Sequence, residues 1–259
     1  MKTIVTAELG ERIHTAGVSN FLYPAEFVRW QRCSSDPLFY WLGWPPLRSA
    51  KSQMGSKLGK THKPVMTDFW LVRHGQTDWN LTGRWQGQAP HAPAINEVGR
   101  AQAFAVRNQL KDLQFSAMYS SDLLRSRQTA ELLAEPLGLN VTLEPRLREM
   151  DLGSWEGMLF DEIRTRFPQE LSKRARDPLN ARAPRGESPM EVAERVIPAV
   201  DEIAVRHRDE TVLIIAHGIS LAIVTCRAQG ISLDKLYEHV PDNAKPRHVK
   251  WKSPSRSVN

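Results

Sequence analysis

Two short apolar runs, each closing on a histidine–glycine pair, constrain this chain more than any other feature. The first is Phe69-Trp70-Leu71-Val72, followed by Arg73-His74-Gly75. The second is Val212-Leu213-Ile214-Ile215-Ala216, followed by His217-Gly218. Runs this short and this rich in branched and aromatic side chains read as strands buried on both faces. A strand buried on both faces needs helices above and below it, and ligands of such sheets sit where strands end and helices begin. Two histidines just past two such strands therefore converge on one pocket although they lie far apart in the chain.

The segments around these strands alternate as that picture requires. Asn96-Glu97 opens a helical stretch with Ala101, Phe104, Ala105 and Leu110 on its apolar face. Ala117–Ser120 reads as a second strand, and a helix follows through Leu124, Thr129, Leu132 and Leu133 until Gly138 stops it. Val141–Leu143 is a third short strand. Val192, Val196, Val200 and Ile203 recur at helical spacing, with Pro198 expected to kink or break the helix. Ser188 is placed to cap its N-terminus. Val212–Ala216 is a fourth strand, and Ile219 to Ala228 a helix behind it. The expected fold is α/β, a three-layer sandwich whose mainly parallel central sheet is flanked by helices.

The formal net charge of +6 invites a nucleic-acid reading until the charges are located. Residues 1–66 carry nine Lys/Arg against four Asp/Glu, residues 67–244 carry 21 against 25, and residues 245–259 carry five against none. The basic excess belongs to the ends, so a folded nucleic-acid surface is not expected. Cys33 and Cys226 are too few for a disulfide scaffold or a structural zinc site, and Cys226, after Ile223-Val224-Thr225, reads as a buried inert thiol. No apolar run approaches the roughly 18 residues of a membrane span, and the first residues lack a secretory signal. A cytoplasmic location is the expectation. The chain divides into an N-terminal extension (1–66), a domain (67–252) and a flexible basic tail (253–259). The extension holds Trp30, Trp41 and Trp44 and a Ser/Lys/Gly-rich run, and translation starting at Met66 would leave the domain whole.

Further segments extend the pattern: Gly83-Arg84-Trp85-Gln86-Gly87, Ser120-Ser121-Asp122-Leu123-Leu124-Arg125, Arg146-Leu147-Arg148-Glu149 and Asp151-Leu152-Gly153-Ser154-Trp155-Glu156-Gly157. With Arg73-His74-Gly75 and Ala216-His217-Gly218 they stand in the order found in the histidine phosphatase superfamily, the phosphoglycerate mutase-like proteins. The resemblance runs from about Asp68 to Trp251. It implies a phosphohistidine mechanism with His74 as nucleophile, a role that neutral imidazole fills near neutral pH. It assigns Arg73 and Arg125 to the phosphate, since guanidinium matches phosphate oxygens in pairs. Arg127 then reads as a surface residue, and His217 completes the phosphate pocket. Glu149 becomes the proton donor and acceptor, ahead of Asp122 and Glu156. Asn80, Gln86, Gly87 and Gly218 are the expected substrate-binding residues. Trp79, Trp85 and Trp155 either flank the substrate or pack beside the pocket.

No His-x-x-x-His or Cys-x-x-Cys spacing supports a metal among His74, His91, His217, Asp122 and Glu149, and arginines beside the histidines would repel a cation. Neither metal nor organic cofactor is expected. The leading reading is a phosphomonoester hydrolase acting on a small phosphorylated metabolite, resembling the alpha-ribazole and broad-specificity phosphatases. The alternatives are a phosphoglycerate mutase and, more remotely, a non-catalytic phosphate binder. The compact stretch between Glu149 and His217 favours the hydrolase, because water should reach the phosphohistidine.

Overall fold

The computed structural model describes residues 66–252. The extension up to residue 65 and the tail 253–259 lie outside the described residues. Met66, grouped with the extension above, opens the first strand. The order is β1 (Met66–Arg73), α1 (Asp78–Thr82), α2 (Glu97–Leu110), β2 (Ala117–Ser120), α3 (Leu124–Leu137) and β3 (Val141–Leu143). Then follow α4 (Phe160–Arg166), α5 (Pro168–Arg176), α6 (Pro189–Arg206), β4 (Thr211–Ala216), α7 (Gly218–Gln229) and β5 (Arg247–Lys252). Short 3-10 turns occupy Pro145–Leu147, Gly153–Trp155 and Leu233–His239.

The sheet runs β3-β2-β4-β1-β5, with every pairing parallel except β1 with β5. Strand periodicity splits the core in two. Phe69, Leu71, Tyr119, Val212, Ile214 and Ala216 face one cluster, shared with Val192, Val196, Val200 and Ile203 of α6 and Leu221 and Val224 of α7. Val72, Met118, Leu213 and Ile215 face the other, shared with Val106 and Leu110 of α2 and Ala130 and Leu133 of α3. These are the three layers expected from the alternation, with the central strand β4 apolar on both faces.

Several elements were not anticipated. In β5 the alternating burial of Arg247–Lys252 puts Val249 and Trp251 inward, and Trp251 Nε1 donates to Asp201 Oδ1 at 2.8 Å. That period of two was legible but is only six residues long. Phe160 and Ile163 of α4, Phe167 at the joint and Leu171 of α5 recur at spacings of three and four, a helical face hidden among many charges. Pro198 does not break α6, which runs unbroken from Pro189 to Arg206. Ser188 caps that helix, its side chain accepting from Glu191 N, and Gly138 ends α3 in the left-handed region at φ 65°.

Candidate active site

Register places the two histidines side by side. In the parallel pair β1–β4, Arg73 lies opposite Ala216, and the ladder extends one step further through His74 N to Ala216 O at 3.0 Å. On the other side of β4, Ser120 lies opposite Ile215, and Ser121 N donates to Ile215 O at 3.0 Å. His74, His217 and Ser121 thus leave three adjacent strands at one level, at the carboxyl edge of the sheet where α/β proteins hold ligands.

His74 is 2% exposed, with its ring centroid 5.2 Å from that of the fully buried His217. Its Nδ1 lies 2.8 Å from Gly75 O, so Nδ1 carries the proton and Nε2 the lone pair. Arg125 Nε donates to that Nε2 at 3.2 Å, and Arg125 Nη2 donates to Gly87 O at 2.9 Å. Burial above all, then the charges of Arg125 and Arg73, hold the His74 imidazole well below its ordinary 6.5. Burial is also the first cause for His217, followed by the charges of Arg125, His74 and Arg73. Arg125, itself fully buried, is lowered to about 10, chiefly by desolvation and with partial relief from Glu149. The site therefore holds neutral imidazoles among buried guanidiniums, an arrangement that attracts an anion.

The loop after β1 is pinned from several sides. Gly75 N donates to Thr129 Oγ1 at 3.0 Å, and Gly75 and Gly99 pack backbone to backbone. A Cβ on Gly75 would come within 2.5 Å of Gly99 O, which explains a glycine beside His74 without invoking conformational freedom. Asn243 Nδ2 donates to His74 O at 2.8 Å, and Arg73 Nη1 donates to Pro241 O at 2.9 Å, so the chain after the last 3-10 turn wraps back onto the site.

Glu149 is 8% exposed and accepts from Met150 N at 2.9 Å and from Ile219 N, in the first turn of α7, at 3.1 Å. A helix N-terminus is a favourable place for a carboxylate. The neighbouring arginines pair elsewhere: Arg146 binds Glu144 and Glu202, and Arg148 binds Asp122. The Glu149 backbone is held by Arg195, whose guanidinium donates to the carbonyls of Arg146, Arg148 and Glu149 and to both oxygens of Glu187.

Arg73, His74, Gln86, Gly87, Arg125 and Glu149 line one cavity together with Trp85, Met150, Leu152 and Ile219, around about 390 Å³ of empty space partly open to solvent. His217, Asn80 and Gly218 are not among these lining residues. Asn80 Oδ1 instead accepts from Thr77 N and Thr77 Oγ1 at 3.1 Å as part of the cap of α1. Of the rival acids, Asp122 is tied to Arg148, while Glu156 Oε1 accepts from Gln88 N and Leu152 N. Trp155 and Trp85 are core residues, stacked edge to face with Arg174 over both rings, and Trp79 packs against His91. Arg127 pairs with Glu131 on the surface. Among the described residues no group of three or more His, Cys, Asp or Glu side chains is placed to hold a metal ion. No helix among them is long and apolar enough to cross a membrane. Ser121, Arg195, Pro241 and Asn243 escaped the sequence reading because each acts through a contact distant along the chain.

Comparison with known proteins agrees with this geometry. The model of the histidine phosphatase superfamily (branch 1) matches residues 69–259. Phosphoserine phosphatase 1 of Hydrogenobacter thermophilus is 33% identical over 179 residues, 69% of this chain and 84% of that protein. The probable phosphoglycerate mutase GpmB of Erwinia tasmaniensis is 35% identical over 166 residues, covering 64% and 76%. The vanadate complex of a mycobacterial glucosyl-3-phosphoglycerate phosphatase superposes with a TM-score of 0.63 at 32% identity, covering 70% of this chain and 90% of that one. The chain belongs to the histidine phosphatase superfamily, branch 1.

Proposed function

We propose that the protein is a phosphomonoester hydrolase that works through a phosphohistidine on His74. The observation that carries this reading is the free-base tautomer of His74: Nδ1 is bound to Gly75 O, and the Nε2 lone pair faces the Arg125 guanidinium. On this reading a phosphate oxygen takes over the Arg125 Nε–H and uncovers Nε2. The lone pair attacks phosphorus, the P–O ester bond breaks, and Glu149 gives its proton to the departing oxygen. A water then yields its proton to the Glu149 carboxylate and attacks the phosphorus. The N–P bond breaks, and inorganic phosphate leaves with His74 neutral again. Arg73, Arg125 and His217 hold the phosphoryl oxygens throughout, the kind of fixed charge stabilisation that supplies most of the rate in phosphoryl transfer.

Hydrolysis is favoured over mutase chemistry by the way the chain between Glu149 and His217 is spent. Of that stretch only Met150 and Leu152 line the cavity; the rest goes into the 3-10 turn Gly153–Trp155, α4, α5, α6, β4 and the loops that join them. The relatives named phosphoserine phosphatase, among them a metal-independent one from Arabidopsis thaliana at 35% identity, support the same assignment. The substrate proposed is a small phosphomonoester, taken without a metal ion.

The test incubates protein dialysed against EDTA with phosphoserine, and separately with 3-phosphoglycerate plus catalytic 2,3-bisphosphoglycerate. Free phosphate should form from at least one substrate, with labelled phosphate trapped on His74 and no label in His74→Ala. Fast formation of 2-phosphoglycerate with little free phosphate would make the protein a mutase. Activity that returns only with a divalent ion would refute the metal-free mechanism.

A further inference from the structure

The His217 ring has one nitrogen with a partner and one without. Its Nε2 lies 2.8 Å from Ser121 Oγ, whereas Nδ1 is buried with no hydrogen-bond partner. Both residues are 0% exposed, so no solvent shares these atoms. A buried polar atom left unpaired costs free energy, and such an atom in a native fold calls for an explanation.

The hydroxyl of Ser121 decides which nitrogen carries the proton. Ser121 Oγ accepts from Leu123 N at 3.3 Å, in the turn that leads into α3. Among the described residues the only acceptor recorded for its own hydrogen is His217 Nε2. If Nε2 carried the proton and donated to Ser121, the buried hydroxyl hydrogen would be left without an acceptor. Donation by Ser121 satisfies both groups, and the one proton of the neutral imidazole then sits on Nδ1.

We propose that Ser121 is a positioning residue that fixes His217 as the Nδ1–H tautomer, holding its unpaired N–H ready to donate to the phosphoryl oxygens. The idea rests on the phosphohistidine reading above, in which His217 contacts the phosphoryl group. With Nε2 engaged by Ser121, Nδ1 is the nitrogen left for that contact. A neutral donor suits the place, since Arg73 and Arg125 already bring two positive charges, and burial above all, then those charges, keeps His217 uncharged. The two histidines are then matched in opposite senses: His74 is fixed to expose a lone pair, His217 to expose a proton. Strand register delivers both, because Ser121 and His217 each stand one step beyond the paired ends of β2 and β4.

The proposal has a spectroscopic signature that a merely structural serine would not produce. In full-length protein labelled with 15N-histidine at neutral pH, and assigned with His217→Gln, His217 should show a protonated Nδ1 and an unprotonated Nε2. In Ser121→Ala the pattern should shift toward the other tautomer or a mixture. The kcat for p-nitrophenyl phosphate should then fall on the order of ten-fold, the scale of one hydrogen bond to a charged group. Ser121→Thr, which keeps the hydroxyl, should restore both. A wild-type spectrum with the proton on Nε2 overturns the proposal, whether or not the variants fold. So does a Ser121→Ala protein with unchanged tautomer and turnover beside an inactive His217→Ala. A fully active His217→Ala protein would instead defeat the parent reading of His217, and the proposal with it.

Discussion

At the residue scale the proposed chemistry rests on a few buried side chains, among them two histidines that burial keeps neutral. Glu149 lines the cavity beside His74, the nucleophile of the proposed mechanism, with its backbone clamped by Arg195 and its carboxyl group on the first turn of α7. Glu149→Gln keeps the shape and most of these bonds but removes the transferable proton. We predict a fall in kcat of about 10²–10⁴-fold with a much smaller change in KM, measured as phosphate release under steady-state conditions. An unaltered kcat would send the search for the acid elsewhere. The two histidines also predict a pH dependence of stability. Burial and then neighbouring charge keep His74 and His217 neutral well below 6.5 in the folded state, while the unfolded chain takes up protons near 6.5. Their contribution is whole above about pH 6.5 and is lost as the pH falls from there toward the folded-state values. Ion-paired carboxylates such as Asp122 and Glu144 lose theirs in a separate window, at and below the usual carboxylate range. Denaturant unfolding at about pH 7.5 and pH 5.5 should therefore cost wild type more than His74→Gln or His217→Gln. Equal losses in all three would show that other groups titrate.

At the element scale, strands deliver the histidines and helices hold the loops that carry them. The contact between the first turn of α2 and the loop after β1 is backbone on backbone: a Cβ on Gly99 would collide with the carbonyl of Gln76. Neither partner can yield as a flexible side chain would. Gly99→Ala should therefore destabilise the protein by about 1–3 kcal/mol, the usual cost of overpacking, and lower turnover by shifting His74. Paired denaturation and activity measurements check both. Stability within error of wild type would mean that α2 moves freely and does not hold the loop. Arg195 does the same work from α6, reaching back to three carbonyls around Glu149. It sits on the amphipathic helix that the spacing of Val192, Val196, Val200 and Ile203 reveals, yet its role depends on where that helix packs.

At the scale of the whole molecule, β1 begins at Met66 and is paired on both sides, by β4 and β5. A protein starting at Met66 is predicted to fold and to retain the kcat of the full chain for p-nitrophenyl phosphate. A precipitating or inactive truncation would show that residues 1–65 support the domain. The alternation of strands and helices was readable from residues alone, because period two and period 3.6 are local properties of a chain. The family was readable too, once Arg73-His74-Gly75 and Ala216-His217-Gly218 were matched to it. Short or charge-rich elements escaped: β5 has six residues, and α4, α5 and the joint between them hide their apolar side chains among charges. What only the tertiary structure decided is which nitrogen of each histidine faces the cavity or its partners, and what holds it there. Ser121 meets His217 across 96 residues, and Asn243 meets His74 across 169. Strand register and the return of the chain after α7 create those contacts, and no local pattern records them, because a hydrogen bond depends on distance in space and not on separation along the chain.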